Sequence, residues 1–202
     1  MVGLRADAQR NLDRVLEAAA AAFAEYGPDV SVTEIARRAG VGNATVFRRF
    51  PSKEALIAAV VSERLGELAD SAEALIEEPD AGAAFEQFVW QISEIHARDR
   101  ALYEGAPRCS EIPEVANAKQ RLHGLVEQLV TRAQDEGSLR RDIQADDVPV
   151  LIGSTILGSS QAGDPDAWRR YIAVVLAGLR SSGVEPDGRQ GPRRPRAPRL
   201  SG

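Results

Sequence analysis

Residues 31–56 read SVTEIARRAGVGNATVFRRFPSKEAL, and this stretch decides the fold of the N-terminal part of the chain. It predicts two short helices, residues 32–40 and 43–50, joined by the tight turn AGVG and ended by Pro51. Gly40 supplies the backbone freedom that such a turn needs. A helix, a sharp turn and a second short helix are typical of a helix-turn-helix.

The second of these helices is predicted to have one buried and one exposed face. Val46 and Phe50 lie four residues apart and are expected to point inward together. The exposed face then carries polar, basic and aromatic side chains: Asn43, Thr45, Phe47, Arg48 and Arg49. Asn suits an adenine edge, Arg a guanine and an aromatic ring a thymine methyl, each worth about 1–3 kcal/mol of base discrimination. The pattern therefore favours a DNA-reading helix.

Charge is distributed unevenly along the 202 residues, whose formal net charge is -5. Residues 37–53 contain five basic side chains and no acidic one. Residues 1–53 hold 8 Lys and Arg against 6 Asp and Glu, whereas residues 54–182 hold 12 against 22. This asymmetry predicts that the N-terminal part meets a polyanion, with Lys53 placed to contact a phosphate. The alternative is a solvated surface on which the arginines pair with the acidic remainder of the chain.

The rest of the chain keeps a helical spacing of apolar residues. It predicts helices over these ranges: 10–27, 53–78, 83–105, 114–137, 148–160 and 166–182. Pro113 suits a first helical turn and Gly137 a C-cap. No alternating strand pattern occurs, so the predicted fold is all-α. A three-helix head, residues 1–52, is joined by a long helix to a helical body, residues 53–183.

The composition narrows the classes of protein that fit. One cysteine, Cys109, rules out an intrachain disulfide and indicates a reducing compartment. No export signal is recognisable, and the apolar runs are too short to span a membrane. We therefore expect a soluble cytoplasmic protein without a membrane partner. The tail, residues 184–202, is rich in Pro, Gly and Arg and is predicted to be disordered.

The stretch that opens this section resembles the DNA-binding segment of the TetR family of bacterial transcription regulators. The matching positions run through both helices and the turn: Ile35, Ala36, Ala39, Gly40, Val41, Thr45, Val46, Phe47, Phe50 and Lys53. The resemblance covers about residues 8–65 and continues beyond them only as a similar helical layout. It implies double-stranded operator DNA as a partner. The candidate DNA contacts are Ser31, Arg38, Gly42, Asn43, Ala44, Thr45, Phe47, Arg48, Arg49 and Lys53.

This sequence departs from the family pattern at three positions. Phe47 stands where Tyr is usual, so a phosphate contact through a hydroxyl is lost. Arg49 stands where His is common, which makes the charge permanent. Gly42 replaces a frequent Ser that would cap the third helix. We therefore predict that Asn43 caps that helix with its own side chain.

The resemblance also implies a homodimer, built from the last two helices of each subunit. The candidate dimer contacts are Leu151, Thr155, Gly158, Trp168, Ile172, Val175, Leu176 and Leu179. A small-molecule ligand is implied within residues 80–137. The candidate lining residues are Phe85, Phe88, Trp90, Ile92, His96, Tyr103, Cys109, Leu122 and His123. Each of these fits ordinary packing as well as ligand contact, and Cys109 fits either a redox sensor or an incidental thiol.

Other functional classes find less support in the sequence. No catalytic triad, phosphate-cradling glycine loop or metal-spaced Cys/His cluster is recognisable, so we predict neither an enzyme nor a metal or cofactor. A helical adaptor that offers its basic helix to an acidic protein is the alternative outside DNA binding. Within DNA binding, an activator or a regulator without a physiological ligand also fits the pattern.

Overall fold

Eight α-helices form the regular secondary structure of residues 2–98, 105–160, 164 and 166–181, which are the residues that this computed structural model describes. Their bounds are α1 Val2–Tyr26, α2 Val32–Ala39, α3 Asn43–Arg49, α4 Lys53–Ile76, α5 Ala81–Arg98, α6 Pro113–Glu136, α7 Asp147–Ser160 and α8 Ala167–Leu179. Within these ranges the only strand-like pairing is an isolated bridge between Leu139 and Arg180. The prediction of an all-α fold is confirmed. The predicted disordered tail, residues 184–202, lies outside the described residues.

The first three helices, which we call the head, pack around a small apolar core. Phe23 of α1 and Ile35 of α2 are fully buried, and Val46 of α3 joins them. α1 begins at Val2, eight residues earlier than the apolar periodicity predicts. The added turns contain no proline and several good helix formers, such as Leu4 and Ala6, so helix propensity extends the helix without a periodic apolar face.

α4 connects the head to the other helices, which together with α4 we call the body. It packs against α1 of the head and against α5 and α6 of the body. Leu56, Val60 and Leu68 of this helix are buried along its length. Ser52 caps its N-terminus by accepting a hydrogen bond from the backbone N–H of Ala55. The helix ends at Ile76, two residues before the predicted end.

α6 has both of its predicted end signals. Pro113 occupies the first turn, and Gly137 follows the helix in the left-handed conformation with φ of 86°. α7 and α8 pack against each other and against α5. The rings of Trp90 in α5 and Trp168 in α8 lie 6.2 Å apart between centroids. No described helix is both long and apolar enough to cross a membrane.

Candidate nucleic-acid interface

The turn between α2 and α3 is held by backbone geometry that only a few residues can adopt. Gly40 has φ of 66°, in the left-handed region that favours glycine. Its N–H and that of Val41 donate to carbonyl oxygens of the last turn of α2, those of Arg37 and Ala36. Ser31 caps the other end of α2 by accepting from the N–H of Glu34. α2 is therefore fixed at its N-terminus by the side chain of Ser31 and at its C-terminus by the turn that leads into α3.

α3 buries one side and presents the other to solvent. Val46 is 1% exposed and Phe50 is 8% exposed, which confirms the predicted inward face. Phe47 is 47% exposed, although it is a large apolar side chain. Asn43, Ala44, Arg48 and Arg49 are also exposed, and Thr45 is half-buried. The exposed face thus combines an aromatic ring, two guanidinium groups and an amide.

The predicted capping role of Asn43 is wrong. Gly42 occupies the N-cap position of α3, and no side chain caps the helix. The side-chain amide of Asn43 instead donates a 3.0 Å hydrogen bond to the hydroxyl of Thr33 in α2. This bond joins the two helices across their exposed side. Thr33 is a residue that the sequence reasoning missed, because a contact across ten residues leaves no local signal.

Two of the five basic side chains in residues 37–53 pair with acidic residues that lie outside that stretch. Glu34 accepts hydrogen bonds from Arg37 and Arg38, at 2.7–2.9 Å. These two guanidinium groups lower the pKa of Glu34 to about 2. Arg38 also pairs with Glu25 at 2.8 Å and lies over the ring of Tyr26, 5.0 Å from its centroid. The predicted DNA contact Arg38 is therefore engaged with the head itself.

Arg48 and Arg49 differ from Arg37 and Arg38. Neither makes an ion pair or a side-chain hydrogen bond with any residue in the described part of the chain. The idea that they pair with the acidic remainder of the protein is therefore wrong for the described residues. Lys53, half-buried at the start of α4, likewise has no ion-pair partner there. Three cations that form no ion pair among the described residues therefore lie on α3 and at the start of α4.

Comparison with known proteins identifies this arrangement. Residues 15–60 match the family model described as bacterial regulatory proteins, tetR family. Residues 80–181 match the model described as the transcriptional regulator SbtR-like C-terminal domain. A crystal structure of a TetR transcription regulatory protein from Mycobacterium vanbaalenii is 32% identical, with a TM-score of 0.64 over 88% of this chain and 99% of that one. The chain belongs to the TetR family of bacterial transcriptional regulators.

Two further relatives are also transcriptional regulators. A TetR transcriptional regulator from Streptomyces coelicolor is 28% identical, with a TM-score of 0.64 over 84% of this chain and 98% of that one. An uncharacterised HTH-type transcriptional regulator of Mycobacterium tuberculosis is 41% identical over 56 residues, 27% of this chain and 30% of the relative. The chain thus aligns with less than a third of the length of the curated relatives that it matches.

The residues predicted to line a ligand pocket in the TetR body are dispersed. Phe85, Phe88, Ile92 and Leu122 are buried core residues, and Trp90 packs on Trp168. Phe85 lines a cavity of about 400 Å³ between α5, α6 and α8, whereas Cys109 lines a separate one of about 150 Å³ beside Lys53. Predicted pocket residues therefore face different cavities. Tyr103 lies outside the described residues.

The two histidines and the cysteine have local partners. His96 Nδ1 lies 2.9 Å from the carbonyl oxygen of Ile92, one turn earlier in α5. His123 is exposed, with Nδ1 3.4 Å from Asp146. Cys109 is buried, its Sγ lies 3.2 Å from the carbonyl oxygen of Gly105, and burial raises the pKa of its thiol. A reactive sensor needs an accessible thiol with a lowered pKa, so this environment argues against that role.

Four of the eight dimer residues named from the sequence need correction. These four residues are buried inside their own subunit: Trp168, Ile172, Leu176 and Leu179. They form a stripe of α8 that faces the other helices of the body. Leu151, Thr155 and Val175 are half-buried, and Gly158 is exposed. The large apolar side chains that remain exposed on α7 and α8 are Val150, Leu157, Tyr171 and Val174. The sequence-based prediction named the buried stripe of α8 and missed the exposed one, because helical spacing does not say which stripe the subunit itself covers.

Proposed function

We propose that this TetR-family chain is a homodimeric repressor that binds an inverted-repeat operator and is released from it by a small-molecule ligand bound in its helical body. The exposed face of α3 is the observation that carries the DNA-binding part. In a chain of net charge -5, Arg48 and Arg49 form no ion pair with any acidic residue that the structure describes, and they lie beside a half-exposed Phe47. A protein that used this helix for folding alone would gain nothing from leaving these groups unpaired.

The residues of α3 divide into two proposed roles. Asn43, Thr45, Phe47, Arg48 and Arg49 read base edges in the major groove. Lys53 contacts a backbone phosphate, together with the exposed backbone of Gly42 and Ala44 and the hydroxyl of Ser31. Arg38 stabilises the head through Glu25 and Glu34 in this proposal, in place of the DNA contact expected from the sequence. The corresponding domains are a head at residues 1–52 and a body at residues 53–183.

The exposed apolar face of α7 and α8 supports the homodimer. Val174 is 71% exposed and Val150 is 65% exposed, and Leu157 and Tyr171 extend the face. Small exposed residues, Ser154 and Gly178, lie on the same helices and allow a close approach of a second copy. A two-fold dimer sets two copies of α3 about one DNA turn apart, which matches the two halves of an inverted repeat.

Release from DNA by a ligand follows from linkage. A ligand acts only to the extent that it binds the DNA-incompetent arrangement of the dimer more tightly than the competent one. The C-terminal family model covers α5 to α8 of the body, and α4 joins these helices directly to the head. We propose that α4 transmits a change in the spacing of the two heads. Action on promoter DNA places the protein in the bacterial cytoplasm.

Selection from fragmented genomic DNA at moderate salt tests the DNA-binding proposal. We expect the wild type to enrich one inverted repeat. Its affinity for that repeat, measured by fluorescence anisotropy, should fall at least tenfold in Arg48→Ala and in Arg49→Ala. Arg141→Ala is the matched control, because Arg141 is an exposed arginine of the body without an ion pair among the described residues.

The result that would overturn the proposal is equally specific. Sequence-blind recovery of DNA, or equal losses in the head variants and in Arg141→Ala, would exclude an operator-reading α3. An acidic protein partner for the basic helix would then be the better explanation. Reporter expression from the selected promoter, with and without the gene, distinguishes repression from activation.

A further inference from the structure

The hydrogen bond between Thr33 and Asn43 joins two exposed side chains of the head. Nδ2 of Asn43 donates to the hydroxyl oxygen of Thr33 over 3.0 Å. Asn43 forms no other side-chain hydrogen bond with a residue that the structure describes. A carboxamide offers a donor end and an acceptor end. The bond to Thr33 occupies the donor end, so the amide oxygen is the end that keeps its full capacity to accept.

The hydroxyl of Thr33 belongs to a helix that is fixed in several ways. Ser31 caps α2, and Gly40 ends it in the left-handed conformation. Ile35 is fully buried in the core of the head. Glu34, the neighbour of Thr33, is held by two arginines of the same helix. The acceptor for Asn43 therefore keeps one place relative to the rest of the head.

Asn43 has no comparable support from its own helix. Gly42, at the N-cap of α3, has no side chain, and Asn43 does not cap the helix. An exposed asparagine without a partner rotates about its side-chain bonds and offers either its oxygen or its nitrogen to a neighbour. The hydroxyl of Thr33 selects one of these two orientations.

We propose that Thr33 is a positioning residue for base readout. Its hydroxyl holds the amide of Asn43 so that the amide oxygen accepts from the exocyclic amino group of a base, adenine N6 or cytosine N4, in the major groove. An exposed neutral hydrogen bond adds little to folding stability. It does order Asn43 before DNA arrives, so the entropy of ordering that side chain is not lost on binding. This inference rests on the proposed DNA-binding function.

Base preferences of the full-length protein test the inference. The half-sites of the selected inverted repeat are randomised, and relative affinities are measured for each base pair. Asn43→Ala should lose discrimination by about fivefold or more at one base pair of each half-site, which identifies the pair that Asn43 reads. Thr33→Val keeps the shape of the side chain without the hydroxyl and should lose about threefold or more at that same pair.

Two controls accompany Thr33→Val. Thr33→Ser keeps a hydroxyl and should stay within about twofold of the wild type at that pair. Thr131→Val makes the same chemical change at an exposed position of α6 and should alter no base preference. The urea midpoint of Thr33→Val should match that of the wild type, because the lost hydrogen bond is exposed.

A double variant separates positioning from a direct DNA contact by Thr33. Adding Thr33→Val to Asn43→Ala should cause no further loss, because Thr33 acts only through Asn43. A synthetic operator in which hydrogen replaces the exocyclic amino group of the identified base pair tests the acceptor role. It should weaken wild-type binding about fivefold or more and leave Asn43→Ala within about twofold.

Several results would overturn the proposal. They are unchanged preferences in Thr33→Val, a uniform loss at every base pair, additive losses in the double variant, and wild-type binding that ignores the amino group. A base preference that does not depend on Asn43 at any pair would do the same. A wild type that selects no inverted repeat would overturn the proposed function and this inference together, whereas the other results leave the proposed function standing.

Discussion

Arg14 donates a 2.5 Å hydrogen bond from Nη2 to the carbonyl oxygen of Ala39, the last residue of α2. The bond ties α1 to the beginning of the turn that precedes α3. The same guanidinium fills the space beside Gly40, where an added Cβ would lie 2.7 Å from Nη2. α1 is therefore tied directly to the turn that leads into α3.

Replacing Gly40 with Ala should destabilise the head. The φ of 66° is strained for any residue with a Cβ, and Arg14 would also have to move. We expect Gly40→Ala to lower the free energy of unfolding by about 2 kcal/mol, as measured by urea denaturation. Gly66→Ala is the matched control, since Gly66 is in the interior of α4 with open space around it. It should raise stability by about 0.5–1 kcal/mol. Equal stability of Gly40→Ala and the wild type would contradict this account of the turn.

Acid should destabilise the protein partly through Glu34. Arg37 and Arg38 hold its folded pKa at about 2, below the ordinary value of 4.5. A carboxyl with a depressed pKa stabilises the fold above pH 4.5 and loses that contribution as the pH falls towards 2. Glu34→Gln should therefore flatten the dependence of unfolding free energy on pH in this window. Glu63→Gln, which removes the same charge from an exposed position of α4, should leave the slope unchanged. If Glu34→Gln left the pH dependence of the unfolding free energy unchanged, the assignment of this stabilisation to Glu34 would be wrong.

The exposed face of α7 and α8 should control association. Introducing a charge at Val174 places an ion in the centre of the proposed interface, where it loses water without gaining a partner. We expect Val174→Glu to sediment as a monomer at low micromolar concentration, under conditions in which the wild type sediments as a dimer. Thr131→Glu, at an exposed position of α6, is the control and should remain a dimer. Identical sedimentation of the wild type and Val174→Glu would show that this face is not the dimer interface.

Cys109 should react slowly in the folded protein. Its thiol is buried, and burial raises its pKa, so little thiolate is available at neutral pH. We expect alkylation by iodoacetamide at pH 7.5 to be at least tenfold slower in the native chain than in urea. Rates measured by mass spectrometry would decide the question. Comparable rates in the two conditions would restore the hypothesis of a thiol sensor.

Local sequence signals predict much of this fold because their causes are local. Ser31 and Ser52 cap α2 and α4 by accepting a hydrogen bond from the backbone N–H three residues later. Pro113 suits the first turn of α6, and Gly137 ends that helix because it adopts a left-handed backbone conformation. Each of these effects acts within about one helical turn, so a short window contains the whole cause. The spacing of Val46 and Phe50 likewise determines which face of α3 turns inward.

The predictions for Asn43 and Arg38 were wrong for a different reason. Asn43 is not a cap, because a partner on another helix, Thr33, offers its hydroxyl at 3.0 Å. Arg38 looks unopposed in the sequence because Glu25, which pairs with it, lies thirteen residues earlier on α1. These contacts depend on where whole helices cross, and no local window contains that information.

The sequence by itself determined the eight-helix architecture, the helix-turn-helix and the family, because periodicity, caps and a contiguous motif are written along the chain. Only the tertiary structure decided which charges stay free and which apolar stripe stays exposed. α8 carries two apolar stripes, one through Ile172 and Leu176 and one through Tyr171 and Val174. The body covers the first and leaves the second in solvent. Burial is a property of how helices pack together, and the spacing within one helix does not specify its neighbours.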